Sequence, residues 1–336
     1  MTGKAQMHTA ALAQALAGDL IENGYDIDAI MRRCSFDASI LEAQSPVVKF
    51  SDSLRFFELA AKLTKNDIMG LQMGMTHDIR HLGLVCYVGL ASPNLAGFLA
   101  NYGRYVKVIN GLLNVDVSQL YDKGAFYWSY EVSPTLTRRQ YVETTCASFL
   151  HTLRKNTHES LTPRLVRFHH NRSRHLEAFD AYFGGRVEFG AETDGIEFEL
   201  SDLEIPLKTA DRTLLKVLMS YADKVLEDMG QQMPDLIVEV ERAIADQLAT
   251  GAATLNNVAA SIGMSPRTLS RKLAAEGTTF FQLLEELRKS LSKSYLRDSD
   301  LGLAEISFLM GYSGLSSFND AFKRWTGNSP GQFRAT

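Results

Sequence analysis

Two stretches in the C-terminal third of the chain repeat one pattern 48 residues apart. Residues 255–273 read as a short helix, a Gly-x-Ser turn and a second helix. Residues 303–322 read the same way, with Gly263 answering Gly311 and Ser265 answering Ser313. This spacing leaves little freedom. The turn needs a residue at positive φ, which glycine adopts without steric cost. Ser265 is placed to cap the next helix, and Pro266 at its first position needs no N–H partner. Leu269 and Leu273, like Phe318 and Phe322, stand four apart and would pin the second helix to the first. The opposite face is then free. In the first unit it carries Arg267, Ser270, Arg271 and Lys272, with Ser265 and Thr268 beside them. A helix presented in this way can enter the major groove. Arginine can address guanine bidentately, whereas serine and lysine suit phosphates.

The 336 residues exceed what one core usually organises. Residues 1–230 read as mixed α/β. Helices are expected over 10–22, 51–64 (capped by Ser51 or Ser53), 92–109 (opened by Pro93), 135–154 and 211–228. Strands are expected over 126–132, 164–169, 187–189 and 196–200, where aromatic and β-branched residues alternate with polar ones. A short polar stretch with Gly230 and Pro234 makes 231–235 the expected linker. Beyond it no strand pattern occurs. Helices are expected over 236–248, 255–262, 266–275, 281–296, 303–310 and 315–325, so residues 236–336 form an all-α domain with two helix-turn-helix units joined by a linker helix.

Net charge is −4, but its distribution is uneven: residues 252–336 hold 10 Lys+Arg against 7 Asp+Glu, and residues 1–251 hold 25 against 32. A modestly basic C-terminal segment is compatible with a DNA partner. Cys34, Cys86 and Cys146 are distant and odd in number, which argues for a reducing compartment and against a disulfide framework or a zinc knuckle. The first helix is amphipathic and unlike a signal peptide, and the longest apolar run, residues 82–91, is too short to span a bilayer. The chain is read as cytoplasmic, with no membrane partner. No GxSxG, P-loop, GxGxxG after a strand or HExxH occurs, so no enzyme is expected. The acid pair Glu285 and Glu286 reads as a solvated helix face.

The second unit contains Ala304-Glu-Ile306, Leu309, Gly311-Tyr-Ser313, Phe318, Ala321-Phe-Lys-Arg-Trp-Thr-Gly327, Pro330 and Phe333-Arg334. The first contains Val258-Ala259, Gly263-Met-Ser265, Arg267-Thr-Leu-Ser-Arg271, Leu273 and Gly277. In these residues the region 236–334 resembles the DNA-binding domain of the bacterial AraC/XylS family of transcription regulators. The resemblance implies double-stranded promoter or operator DNA as partner, with the two units reading successive major-groove faces. It implies base or phosphate contacts from Arg267, Ser270 and Arg271, and from Leu315, Ser316, Ser317 and Asn319, with Lys323 and Arg324 nearby. It also implies an activator's contact with RNA polymerase. Asp320 departs from the family's basic or neutral residue, so the second unit is expected to contribute less base-specific binding.

More loosely, residues 82–84, 91–95, 164–170, 182–189 and 203–207 resemble the sensor domain of the ornithine-utilisation-regulator-like (arabinose-binding-domain type) branch. That implies a small organic effector, an amino acid or carboxylic acid, and a homodimer formed through this half. The alternative is an effector-independent regulator whose N-terminal domain only dimerises. The aromatic strand and the histidine-rich stretch supply the candidate effector contacts Tyr127, Trp128, His169, His170 and Arg172. Five of the eight histidines fall between His151 and His175, but their spacing is not that of a zinc site. No metal or other cofactor is expected.

Overall fold

The computed structural model describes residues 7–34, 36, 38–41, 43, 47–157, 160–229 and 236–335. The expected linker 231–235 lies outside them. The chain divides into two compact units. Met1–Glu131, Thr137–His170 and His175–Met233 form one; Val132–Leu136, Asn171–Arg174 and Pro234–Thr336 form the other.

The first unit is mixed α/β. β1 (Met7–Thr9) leads into α1 (Ala11–Glu22) and α2 (Ile27–Arg33), and β2 (Val47–Lys49) pairs antiparallel with β1. Apolar residues four apart, Leu12, Leu16 and Leu20, give α1 its buried face. α3 (Phe50–Thr64) starts one residue before the expected caps. Lys49 holds the cap position without a side-chain bond, and Ser53 is instead buried against His8, with Oγ to Nε2 at 2.8 Å. α4 (Met69–Gly74) and α5 (Leu84–Leu90) follow. α6 (Leu95–Tyr105) begins later than Pro93 suggests, because Asn94 accepts from the Gly97 N–H at 2.9 Å and is the true cap.

A five-stranded sheet follows, built from β3 (Leu113–Asp116), β4 (Ala125–Tyr130), β5 (Leu165–Phe168), β6 (Arg186–Phe189) and β7 (Asp194–Glu197) in the order β3-β4-β7-β5-β6. Its pairs are antiparallel except β5–β6, whose crossover holds a helix absent from the sequence reading. The other helices of this unit are α7 (Leu120–Lys123), α8 (Arg139–Asn156), that crossover helix α9 (Leu176–Phe183) and α10 (Arg212–Met229). α8 packs tightly on α4. A β-carbon on Gly74 would lie 2.5 Å from Ala147 Cβ and 2.6 Å from the Thr144 carbonyl, so only glycine permits this approach.

From Leu236 onward the second unit is built of helices alone: α11 (Leu236–Leu248), α12 (Leu255–Ser261), α13 (Pro266–Ala275), α14 (Phe280–Asp298), α15 (Leu303–Leu309), α16 (Leu315–Thr326) and α17 (Pro330–Arg334). It has two cores. Val240, Ile244, Val258, Leu269, Leu273 and Leu287 anchor the first. Leu296, Ile306, Met310, Phe318 and Phe322 make the second. Leu291 on α14 packs against both, so the linker helix is the shared wall.

Candidate nucleic-acid interface and N-terminal cavity

Each helix-turn-helix unit is built by local rules. Gly263 and Gly311 turn at φ 68° and 67°. The Ser265 hydroxyl accepts from the Thr268 N–H at 3.2 Å, and Pro266 follows at the first helical position. Leu269, Leu273, Phe318 and Phe322 are fully buried. Their burial aims the other faces of α13 and α16 at solvent.

On α13, Arg267, Ser270, Arg271 and Lys272 are exposed, as is the capping Ser265, while Thr268 is half-buried. No acidic residue lies on this helix, so its outer face is positive. On α16, Leu315, Ser316, Ser317, Asp320, Lys323 and Arg324 are exposed. Asn319 is only half-buried, and its Oδ1 is turned inward without a protein partner. Arg324 is also engaged. It donates to Glu285 Oε1 on α14 at 2.5 Å, and the Trp325 indole donates to the same oxygen at 2.7 Å. These donors, the indole first, hold the Glu285 carboxyl below its ordinary range. Glu285 is exposed, as a solvated helix face requires, and is in addition a clamp between α14 and α16. Periodicity could not show this, since its partners lie 39 and 40 residues away.

Arg288 also escaped the sequence reading. Its Nε donates to the Met310 carbonyl at 2.9 Å, and its guanidinium lies 4.6 Å from the centre of the Tyr312 ring. It thereby fixes the second turn against the linker helix. A β-carbon on Gly311 would meet the Leu248 carbonyl at 2.5 Å, so this turn is also pressed against α11.

The sheet of the first unit has two unlike faces. On β4, Phe126, Trp128 and Tyr130 point inward and Tyr127 outward, as period-two alternation requires. The inward residues, with Tyr102, Tyr141 and Phe149, wall a cavity of about 50 Å³. Tyr127 belongs to an ionic cluster on the other face. It donates to Glu197 at 2.5 Å, and Arg164 pairs with the same carboxylate at 2.6 Å. Burial, with the Glu197 bond next, pushes the Tyr127 hydroxyl up to about 12.

Of the candidate effector contacts, the structure brings only Trp128 to the cavity. His169 Nδ1 lies 2.9 Å from the Ala191 carbonyl, and His170 Nε2 lies 2.9 Å from the buried Glu143 carboxylate. Arg172 is buried and donates to the Arg174 carbonyl at 3.3 Å. Among the described residues no cluster of three or more His, Cys, Asp or Glu could hold a metal ion. No helix there is long and apolar enough to cross a membrane.

Paired helix-turn-helix units with solvent-facing second helices define a DNA-binding transcription regulator. A family model for the arabinose-binding domain of AraC transcription regulators matches residues 24–207, and a helix-turn-helix domain model matches residues 258–336. The chain belongs to the AraC family of transcription regulators. It is 27% identical over 316 residues to the HTH-type transcriptional regulator VirS of Mycobacterium tuberculosis, across 94% of this chain and 92% of that protein. It is 24% identical over 332 residues to the ornithine utilization regulator of Pseudomonas aeruginosa, across 98% and 97%. The transcriptional activator NphR of a Rhodococcus species is 36% identical over 98 residues, 29% of each chain. These relatives are regulators, and the chain is a regulator rather than an enzyme.

Proposed function

We propose that the protein is a ligand-responsive transcription activator in which α13 and α16 enter successive major-groove faces of one operator. The observation that carries this reading is the exposure of Arg267, Ser270 and Arg271 over a fully buried Leu269 and Leu273. Arg267 and Arg271 are the principal base readers, with Ser265, Thr268, Ser270 and Lys272 on bases or phosphates. In the second unit Leu315, Ser316 and Ser317 face the bases, Leu315 suiting a thymine methyl. Lys323 reaches phosphate. Arg324, Asn319 and Asp320 add less, because Arg324 is shared with Glu285, Asn319 turns its amide oxygen inward and Asp320 repels phosphate. Division at 231–235 separates this domain from the sensor. Footprinting of the purified protein tests the reading: protection of two adjacent major grooves on one side of the duplex is expected, and protection of a single groove would refute it.

The N-terminal domain binds a small effector and pairs with a second copy, and the activated protein contacts RNA polymerase. The relatives support an activator and a metabolite signal, NphR being a transcriptional activator and one full-length relative an ornithine utilization regulator. The small size of the cavity favours a second reading, in which this domain only dimerises.

A further inference from the structure

The cavity in the first unit is dressed for an uncharged guest. β4 supplies Phe126 and Trp128, and α8 supplies Phe149, whose ring stacks on Phe126 with centroids 5.3 Å apart. Among the described residues, none that lines it is Asp, Glu, Lys, Arg or His. Burial raises the hydroxyls of Tyr102, Tyr130 and Tyr141 far above physiological pH, so these walls stay neutral.

Among the described residues, two buried polar atoms of this wall have no partner. Asn110 is 2% exposed and its Nδ2 donates to nothing; Ser148 is 0% exposed and its Oγ is equally unpaired. The Asn110 Oδ1 is committed, accepting the Leu112 N–H at 3.0 Å, which holds the amide in place. Buried donors are almost always satisfied, so two orphans on one apolar cavity mark where a guest's polar group belongs.

We propose that this cavity is the effector site and takes an uncharged, chiefly apolar small molecule whose oxygen accepts from Asn110 Nδ2, with a second polar contact to Ser148 Oγ. This rests on the reading of the N-terminal domain as a sensor and deepens it. A free amino acid or a carboxylate would enter as an ion with no counter-charge, which buried surroundings strongly oppose. A pentose carries a hydrogen-bonding group on nearly every carbon and would set most of them against a chiefly apolar wall. At about 50 Å³ the cavity is also well below the roughly 150 Å³ that admits benzene in an engineered core. Occupation therefore moves the wall, and a ligand that favours the displaced wall shifts the protein between two states.

The test uses the full chain with Trp325→Phe, leaving Trp128 as sole tryptophan reporter. Acetophenone, its hydrocarbon counterpart ethylbenzene, benzoate, L-ornithine and L-arabinose are titrated by fluorescence and thermal shift. The expected result is saturable Trp128 quenching and a raised Tm with acetophenone, weaker binding of ethylbenzene, and none with the charged or sugar probes. Ser148→Ala and Asn110→Ala should each weaken acetophenone about tenfold and abolish its advantage over ethylbenzene. Either variant suffices if the other fails to reach the parent's unliganded Tm. Binding of benzoate or ornithine without acetophenone would overturn the ligand class and leave the sensor reading standing. Silence from every probe would overturn both. Equal binding of acetophenone and ethylbenzene would overturn the assigned polar anchor.

Discussion

Glu285 on the linker helix accepts a 2.7 Å hydrogen bond from the Trp325 indole near the end of the second recognition helix. This bond, with the one from Arg324, couples the orientation of α16 to α14. Glu285→Ala should lower operator affinity several-fold while preserving base preference, because it loosens a scaffold and removes no reader. A mobility-shift series over point-substituted operators would show it; altered preference at individual bases would contradict the clamp. The clamp is also acid-sensitive. A carboxyl whose folded pKa is depressed stabilises the fold above its unfolded pKa, and that contribution is lost as pH falls through the folded value.

Arg271→Ala should cost about 1–3 kcal/mol of specific binding and relax discrimination at one position of the operator. Lys272→Ala should instead weaken all sequences alike and flatten the salt dependence by about one unit of slope. Unchanged binding of Arg271→Ala to its cognate site would remove α13 from the interface.

His8 is 3% exposed and its Nε2 faces Ser53. Burial pushes its pKa down from 6.5 to about 3. Between those values the unfolded chain binds a proton that the folded chain does not, so stability rises with pH across this window. Acidification from pH 7 to pH 5 should cost about 2 kcal/mol from this group alone. Denaturant melts of His8→Gln should show a smaller loss over the same range.

Gly70 on α4 touches the α8 backbone directly: a β-carbon there would lie 2.2 Å from the Gln140 carbonyl oxygen. Neither backbone can yield cheaply, since Gln140 Oε1 also accepts the Gly70 N–H at 2.7 Å. Gly70→Ala should destabilise the first unit by about 1–3 kcal/mol or more, readable as a lower Tm, with no direct effect on the DNA-reading face.

α10 is held to α6 by Asp223, which accepts from Tyr105 at 2.9 Å and Arg104 at 3.0 Å. Its other face exposes Leu214, Val217 and Tyr221, 45–62% accessible and spaced three and four apart. That stripe suits self-pairing of two copies. Val217→Asp should shift the protein toward monomer in sedimentation without loss of helicity; a parent already monomeric at working concentration would dispose of the idea.

Much of the DNA-reading half was legible because its rules are local. A glycine turn, a serine cap and leucines four apart act within twenty residues, and together they dictate which side of α13 faces out. Helix 236–248 and helix 266–275 have the bounds their periodicity predicts. The edge strand β3 was not legible, because Leu-Asn-Val-Asp is half polar and gains its strand character by pairing with β4. α9 was hidden between two strands by a stretch that also reads as a loop. α17 was hidden by Pro330, which caps a helix start as readily as it breaks one.

The amino-acid order alone decided that this chain carries two outward recognition helices, since each is specified by contacts within its own unit. It also decided that Tyr127 and Trp128 point to opposite faces of one strand. Which face holds the cavity was decided only by the tertiary structure, when α8 covered one side and charged residues gathered on the other. The same holds for the pairing of Glu285 with Trp325 and for the presence of Asn110 and Ser148 in the wall of one cavity. Periodicity reports that a side chain lies on a buried face, but partners distant in sequence are chosen by packing, and packing is a property of the whole fold.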